Sequence, residues 1–197
     1  TVASDGSFVY DPTGSATLQA LARGVDLDDT FTYTLTDALG ATDTATVTIT
    51  VHGVNKNPVA NPDAYATDED TTVFINTADG LIDGAGADTD PENDTLTVTG
   101  INETSSRSGF SVNGAQVDVT SSGGLTYNPN NDPDQVINQA IQALNDGDTL
   151  DDTFTYTISD GNGGTAIGTV TISLTGINDA PRAADDSGTT PRNADVI

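Results

Sequence analysis

Apolar residues alternate with polar ones, mostly threonine, along four stretches of the chain. Phe31, Tyr33 and Leu35 are separated by Thr32 and Thr34, and Val47, Ile49 and Val51 by Thr48 and Thr50. The same alternation returns at Phe154, Tyr156, Ile158 and at Val170, Ile172, Leu174. A period of two places one apolar row on one face, so each stretch predicts a half-buried antiparallel strand with threonine on the wet side. Shorter runs predict strands over 71–75, 95–101, 108–112, 115–119 and 124–127. Asn113-Gly114 between two runs predicts a hairpin with a two-residue turn. Segments 37–40 and 160–164 read as longer hairpin loops. One segment breaks the pattern: Val136, Ile137, Ala140, Ile141 and Leu144 follow helical spacing. Asp132 is the expected N-cap there, with Pro133 at the first helical position. A shorter counterpart lies over 15–22, with Leu18 and Leu21 inward. Each helix is expected to plug an open end of a sandwich.

The pattern is also repeated. Residues 27–37 recur as 150–160 with nine of eleven positions identical, an offset of 123. The offset holds without a gap from Gly53-Val54-Asn55 to Gly176-Ile177-Asn178, and carries Pro58 onto Pro181 and Asp63 onto Asp186. Upstream, Phe8-Val9-Tyr10-Asp11-Pro12 matches Leu125-Thr126-Tyr127-Asn128-Pro129 at an offset of 117, so the second copy carries about six extra residues near 130–140. Residues 1–56 therefore read as the C-terminal part of one repeat, 57–179 as one complete repeat, and 180–197 as the start of a third. The chain is expected to be a segment of a longer tandem array, and the absence of an initiator Met fits that expectation. A period of about 123 residues with some seven short strands is the pattern of an immunoglobulin-like sandwich, and such units in series form a quasi-linear rod.

Composition narrows the function. The 197 residues hold 30 acids, of which 27 are Asp, against five Lys and Arg, for a formal net charge of −25. Five cations cannot neutralise a run of phosphates, which excludes nucleic acid as a partner. No run of 18 apolar residues is present to span a membrane. With no Cys, thiolate metal sites and disulfides are excluded. The one histidine, His52, reads as a surface residue, and the acids recur in motifs beside strands and turns rather than as one unique pair in a cleft, so no enzyme is expected. Tyr33 and Tyr156 fall on the inward face and read as core.

The acids cluster around the repeat boundaries. Asp68-Glu69-Asp70 precedes one predicted strand, and Asp88-Thr89-Asp90-Pro91-Glu92-Asn93-Asp94 another. Asp160 opens a hairpin tip, and Asn178-Asp179 with Asp186 forms a linker. Calcium takes six to eight oxygen ligands from carboxylates, amides and carbonyls, and Asp-x-Asp spacing supplies several to one ion. Crowded carboxylates repel when empty and are stabilised by a bound dication, which couples metal to rigidity. The candidate ligands are Asp68, Glu69, Asp70, Asp88, Asp90, Asp94, Asp160, Asn178, Asp179 and Asp186. Magnesium fits less well because it prefers a tight octahedron. The Asp88 run does not match the helix-loop-helix calcium loop.

In the order Asp68-Glu69-Asp70-Thr71, Asp88-Thr89-Asp90-Pro91-Glu92-Asn93-Asp94, Asp152-Thr153-Phe154-Thr155-Tyr156, Asp160-Gly161-Asn162-Gly163-Gly164, and Gly176-Ile177-Asn178-Asp179-Ala180-Pro181, the chain resembles the bacterial cadherin-like tandem repeats. These include the VCBS type and the extender repeats of RTX-like adhesins. The resemblance implies an all-β fold of Ig-like or cadherin-like sandwiches in series, with calcium near the junctions. It also implies export, a place on the cell surface or in the matrix, and a rod-like extender role beside neighbouring repeats of the same chain. Two positions depart from the pattern. Lys56 stands where Asp179 stands at the second junction, and Pro191-Arg192-Asn193 replaces Asp68-Glu69-Asp70. A cation at Lys56 competes with calcium, so fewer ions are expected than the full pattern would hold. The other functions the sequence leaves open are a self-associating filament or surface-layer subunit, whose strand edges pair with a neighbour, and a calcium-dependent module binding carbohydrate such as cell-surface or matrix polysaccharide.

Overall fold

The computed structural model describes residues 2–131 and 138–179. Its N-terminal part is a two-stranded antiparallel sheet. Strand β1 (Asp26–Thr36) pairs with β2 (Thr42–His52) along their full length, Phe31 opposite Val47 and Tyr33 opposite Ala45. A single helical turn, α1 (Ala16–Gln19), precedes them, capped by Ser15, whose Oγ accepts from Leu18 N at 3.3 Å.

Eight strands follow: β3 (Asp63–Asp68), β4 (Val73–Ile75), β5 (Thr97–Ile101), β6 (Ser108–Phe110), β7 (Gln116–Val119), β8 (Leu125–Asn128), β9 (Thr149–Ser159) and β10 (Thr165–Thr175). They form two four-stranded sheets, in the orders β3-β10-β9-β5 and β4-β8-β7-β6. The chain is all-β, an Ig-like or cadherin-like sandwich. The alternation in β9 and β10 sends Phe154, Tyr156, Ile158, Val170, Ile172 and Leu174 inward against Val117, Leu125 and Tyr127 of the other sheet, all 2% exposed or less. Gly168 lies opposite Tyr156 in the ladder, and a Cβ there would sit 2.3 Å from the tyrosine ring. That position must be glycine for the ring to lie across the strand.

The core holds no Trp, Met or Cys, so tyrosines supply much of its bulk, and each hydroxyl needs a partner. Tyr127 OH, from β8, donates to Asp152 Oδ2 on β9 at 2.6 Å and so ties the two sheets together. Asp152 is itself fully buried, and its Oδ1 accepts from the backbone N–H groups of Asn113 and Thr153. The N-terminal part repeats the pair: Tyr10 OH donates to Asp29 Oδ2 at 2.9 Å.

Three elements differ from the sequence expectation. Strand β3 is absent from the predicted set. It is an edge strand, parallel to β10, with Asp63, Tyr65 and Thr67 on its inward side, so it lacks both an apolar row and a hairpin turn to announce it. The Asn113-Gly114 loop has three residues rather than two. Ser111 N donates to Ala115 O, Gly114 N to Ser111 O, and only Gly114 has positive φ (90°). A type I turn followed by a left-handed glycine replaces the expected primed turn. The second helix is one turn, α2 (Gln139–Gln142), with Ile141 fully buried. Asn138 donates through Nδ2 to Pro129 O instead of capping it, and a turn closed by Asn145 N to Asp148 Oδ2 ends the segment soon after. The expected cap Asp132 and Pro133, Val136 and Ile137 lie outside the described residues.

Tyr127→Phe leaves Asp152 Oδ2 buried with no donor, and urea denaturation should show a loss of about 1–3 kcal/mol. Tyr10→Phe removes the same bond at a more exposed site and should cost less than about 1 kcal/mol.

Candidate functional site

Strand β10 sets where the candidate acids fall. Its eleven residues span roughly 34 Å. At its first end is the β9–β10 hairpin tip, and against that tip lies the incoming segment 53–62. At its last end the outgoing segment 176–179 leaves. The first end gathers Asp90, Asp94 and Asp160, with Asp88 set deeper. The second gathers Asp68, Glu69, Asp70, Asn178 and Asp179. Asp186 lies outside the described residues.

At the first end, Asp160 is a fastener of its own loop. Its Oδ1 accepts from Asn162 N (2.7 Å) and Gly164 N (2.9 Å), and its Oδ2 from Asn55 Nδ2 (2.8 Å). Burial works against its charge, yet these hydrogen bonds hold its carboxyl below the usual range. Asp37, Ser111 and Thr120 open loops of the same shape, each side-chain oxygen accepting from the backbone N–H four residues on. Asp90 closes the loop 90–94 in a similar way, Oδ1 accepting from Glu92 N and Asp94 N. Its Oδ2 is buried with no partner. Asp94 Oδ2 accepts from Asn162 Nδ2 at 2.8 Å. Glu92, whose side chain is fully buried, accepts from Lys56 N at 3.0 Å and Lys56 Nζ at 3.1 Å.

Asp88 points inward. Both its oxygens lie 3.1 Å from Tyr156 OH, and Oδ1 also accepts from Asn61 N at 2.8 Å. Beside it Asp63, 4% exposed, has Oδ2 buried without a partner. Burial, above all, and then the charge of Asp88 push Asp63 up to about 7, against the hydrogen bond of Tyr156. Burial and the Asp63 charge push Tyr65 up to about 12, and Asp88 and Tyr156 are displaced upward for the same first reason.

At the second end, Asp68 closes its own turn, accepting from Asp70 N and Thr71 Oγ1. Asp70 Oδ1 accepts from Asn130 Nδ2 at 3.0 Å. Glu69 is 1% exposed, and its Oε1 accepts from Ile177 N at 2.8 Å, the outgoing backbone. Its Oε2 is buried with no partner. Burial raises the Glu69 carboxyl above its ordinary value; the Ile177 bond opposes this, while Asp179, Asp70 and Asp68 add to it. Asn178 Nδ2 reaches Asp179 O at 3.4 Å.

Among the described residues, no three His, Asp or Glu side chains stand close enough together to hold an ion as they are placed. The residues still fit a cation at the second end in donor chemistry: a buried carboxylate keeps a free oxygen there, under the charge of three more acids. His52 is exposed, its Nδ1 2.7 Å from Asp26 Oδ1. Sequence reasoning did not single out Asp63, Glu92, Arg23 or the Tyr127–Asp152 pair. The recurrence of Asp63 as Asp186, and of Tyr10 and Asp29 as Tyr127 and Asp152, is the signal that could have found two of them.

The model of the bacterial cadherin-like domain matches residues 55–176, and that of a bacterial Ig domain matches 1–50. Such domains occur in bacterial surface proteins. Among curated proteins, none matches the sequence. Among solved structures, a nucleoside hydrolase-related hypothetical protein from Saccharophagus degradans, associated with carbohydrate metabolism, is similar at a TM-score of 0.33 and 12% identity. That similarity covers 62% of this chain and 26% of the other. An endo-fucoidan hydrolase of glycoside hydrolase family 107 is similar at a TM-score of 0.30 and 15% identity, over 74% of this chain and 22% of its own. The chain thus spans about a quarter of the length of either, and at those scores neither activity bears on it. Among the described residues, no helix is long and apolar enough to cross a membrane.

The buried Asp63 has a pH consequence. Below its ordinary value near 3.8 it is protonated folded and unfolded alike; from there to about 7 only the folded chain keeps the proton. Stability should therefore fall as pH rises through that window. Asp63→Asn should flatten the decline by on the order of 2 kcal/mol, read from urea unfolding in EDTA at pH 4.5 and pH 8.

Proposed function

The chain belongs to the bacterial cadherin-like domain family, and on that premise we propose that it is a non-catalytic, calcium-stiffened extender segment of a large bacterial surface or matrix adhesin. Its units would be 1–56, 57–179 and the start of a third at 180–197. The observation that carries the extender role is the path of the chain along the sheet. Segment 53–62 enters beside the 160–164 hairpin tip, where Asn55 holds Asp160, and segment 176–179 leaves from the other end of β10. A unit that enters at one end and leaves at the other adds length instead of folding back.

Calcium at the second end is supported by Glu69. One oxygen holds the backbone of the outgoing segment at Ile177, and the other is buried and unpaired. An uncompensated buried carboxylate is costly, and a dication bridging it to Asp68, Asp70, Asn178 or Asp179 would offset the cost and fix the direction of exit. Asp90, Asp94 and Asp186 are weaker ligand candidates: at the first end the Lys56 ammonium beside Glu92 competes with an ion at the unpaired Asp90 Oδ2. Asp88 and Asp160 would act mainly as second contacts, since their oxygens already accept protein hydrogen bonds.

A second reading, association with other copies, has one observation in its favour. The face of the N-terminal sheet lined by Phe8, Phe31, Tyr33, Leu35 and Val47 is open, while the matching Phe154, Tyr156 and Val170 are buried under a second sheet. Sedimentation that shifts with protein concentration would favour this reading over a passive spacer.

Thermal unfolding tests the calcium reading. In excess EDTA and then about 10 mM calcium, a site of about 0.1–1 mM affinity should raise stability by about 1–3 kcal/mol, or roughly 3–8 °C. Magnesium should do much less. Glu69→Gln should remove most of the calcium shift. No shift in the unaltered chain would overturn the calcium reading and leave the acids as salt-tolerant surface.

A further inference from the structure

The joints at 53–56 and 176–179 share a backbone contact but differ in sign of charge at two corresponding positions. At the offset of 123, Gln19 corresponds to Gln142, Arg23 to Asp146, Gly53 to Gly176 and Lys56 to Asp179. The geometry follows the correspondence. A Cβ on Gly53 would strike Ala22 O, and one on Gly176 would strike the matching Asn145 O, each within 2.2 Å. Helical turns α1 and α2 match residue for residue. On this shared frame both cations of the first joint, Arg23 and Lys56, are acids at the second.

Those cations are engaged. Lys56 is the only lysine of the chain. Its Nζ lies 3.1 Å from Glu92 Oε1, and it also donates to Gln19 O at the end of α1. Its backbone N–H donates to Glu92 Oε2 at 3.0 Å. One side chain thus joins the N-terminal part, through Gln19, to the buried carboxylate of the sandwich loop 90–94. Arg23 Nη1 donates to Asn162 O at 3.4 Å, from the same part to the hairpin tip. Asn55 adds the third link, to Asp160. Glu92 of the first joint therefore has a resident ammonium, whereas Glu69 of the second has an unpaired oxygen.

We infer that Lys56, assisted by Arg23, makes the first joint a metal-independent clasp, the lysine ammonium occupying the place that an added cation would fill. One protein then carries two kinds of joint: a self-closed one at 53–62, and an acidic one at 176–179 whose stiffness follows the divalent ion. The contrast with the second joint rests on the calcium reading above; the clasp itself does not. Calcium would then set the bending of the rod at selected joints rather than at all of them, chosen by single substitutions such as lysine for aspartate.

The test exploits the absence of cysteine. Two spin labels are placed in the full chain at Thr48→Cys on β2 and Thr169→Cys on β10, both exposed. The distance distribution between them is recorded by pulsed electron resonance in EDTA and in millimolar calcium. The clasp predicts one narrow distribution, the same in both. Lys56→Gln should broaden it at least twofold in EDTA at a temperature where circular dichroism shows the sandwich still folded, the loss of the ammonium beside buried Glu92 lowering the midpoint but residue 56 retaining its backbone bond to Glu92. Acetylating Lys56 in the folded, labelled chain should broaden it likewise without any substitution. A distribution already broad in EDTA that narrows with calcium would overturn the inference, as would Lys56→Gln and acetylated chains as narrow as the parent. Failure of the calcium reading would appear separately, as no thermal shift in the unaltered chain.

Discussion

Tyrosine hydroxyls buried beside aspartate carboxylates organise this sandwich. Tyr127 and Tyr156 are fully buried, and neither hydroxyl could remain there unpaired without a cost comparable to a core cavity. Tyr127 takes Asp152 and thereby fastens β8 of one sheet to β9 of the other. Tyr156 OH lies 3.1–3.2 Å from Asp88, Asn61 O and Leu81 O and shares its one proton among these acceptors, which draws β9 to the segment feeding β3 and to the loop before Asp90. The core and the polar ends are thus connected. The tyrosine that fills the centre of the sheet also fixes the root of the acidic loop at the first end. Asp63 lies in the same arrangement; burial first, and then the charge of Asp88, push its pKa up.

The acidity of the chain is less uniform in purpose than its net charge suggests. Many aspartates act locally, accepting backbone N–H groups two to four residues on. Asp5, Asp11, Asp37, Asp68, Asp90 and Asp160 all do so. Asp is the right residue for that task because its short side chain reaches its own turn, whereas Glu is too long. Two of the three glutamates stand out for that reason. Glu69 and Glu92 are both deeply buried, and each reaches the backbone of a joint, at Ile177 and at Lys56. The longer side chain spans the gap between the sandwich and the segment that enters or leaves it.

The two joints follow from one scaffold with different charge. Lys56 meets Glu92 at the first joint, and at the second Asp179 adds its charge to that of Glu69. Gly53 and Gly176 make the same close backbone contact, so Lys56 and Asp179 stand at matching places.

The alternation at 31–35, 47–51, 154–158 and 170–174 was enough to fix four long strands and, in the last two, inward residues of the core; Tyr33, which the same pattern reads as core, lies instead on the open face of the N-terminal sheet. Period-two patterning survives any tertiary context that buries one face. Most of the clustered acids likewise stand at the two ends of β10. What remained hidden depends on contacts distant in sequence. Strand β3 has polar inward residues and exists because β10 offers it a parallel edge. The three-residue turn at Asn113-Gly114 was decided by the pairing of β6 with β7, not by the dipeptide. Among the candidate ligands, sequence could not separate Asp160, saturated by its own loop and Asn55, from Glu69, left with a free oxygen. Both are acids beside a junction, and only the packing around each determines how many donors reach it.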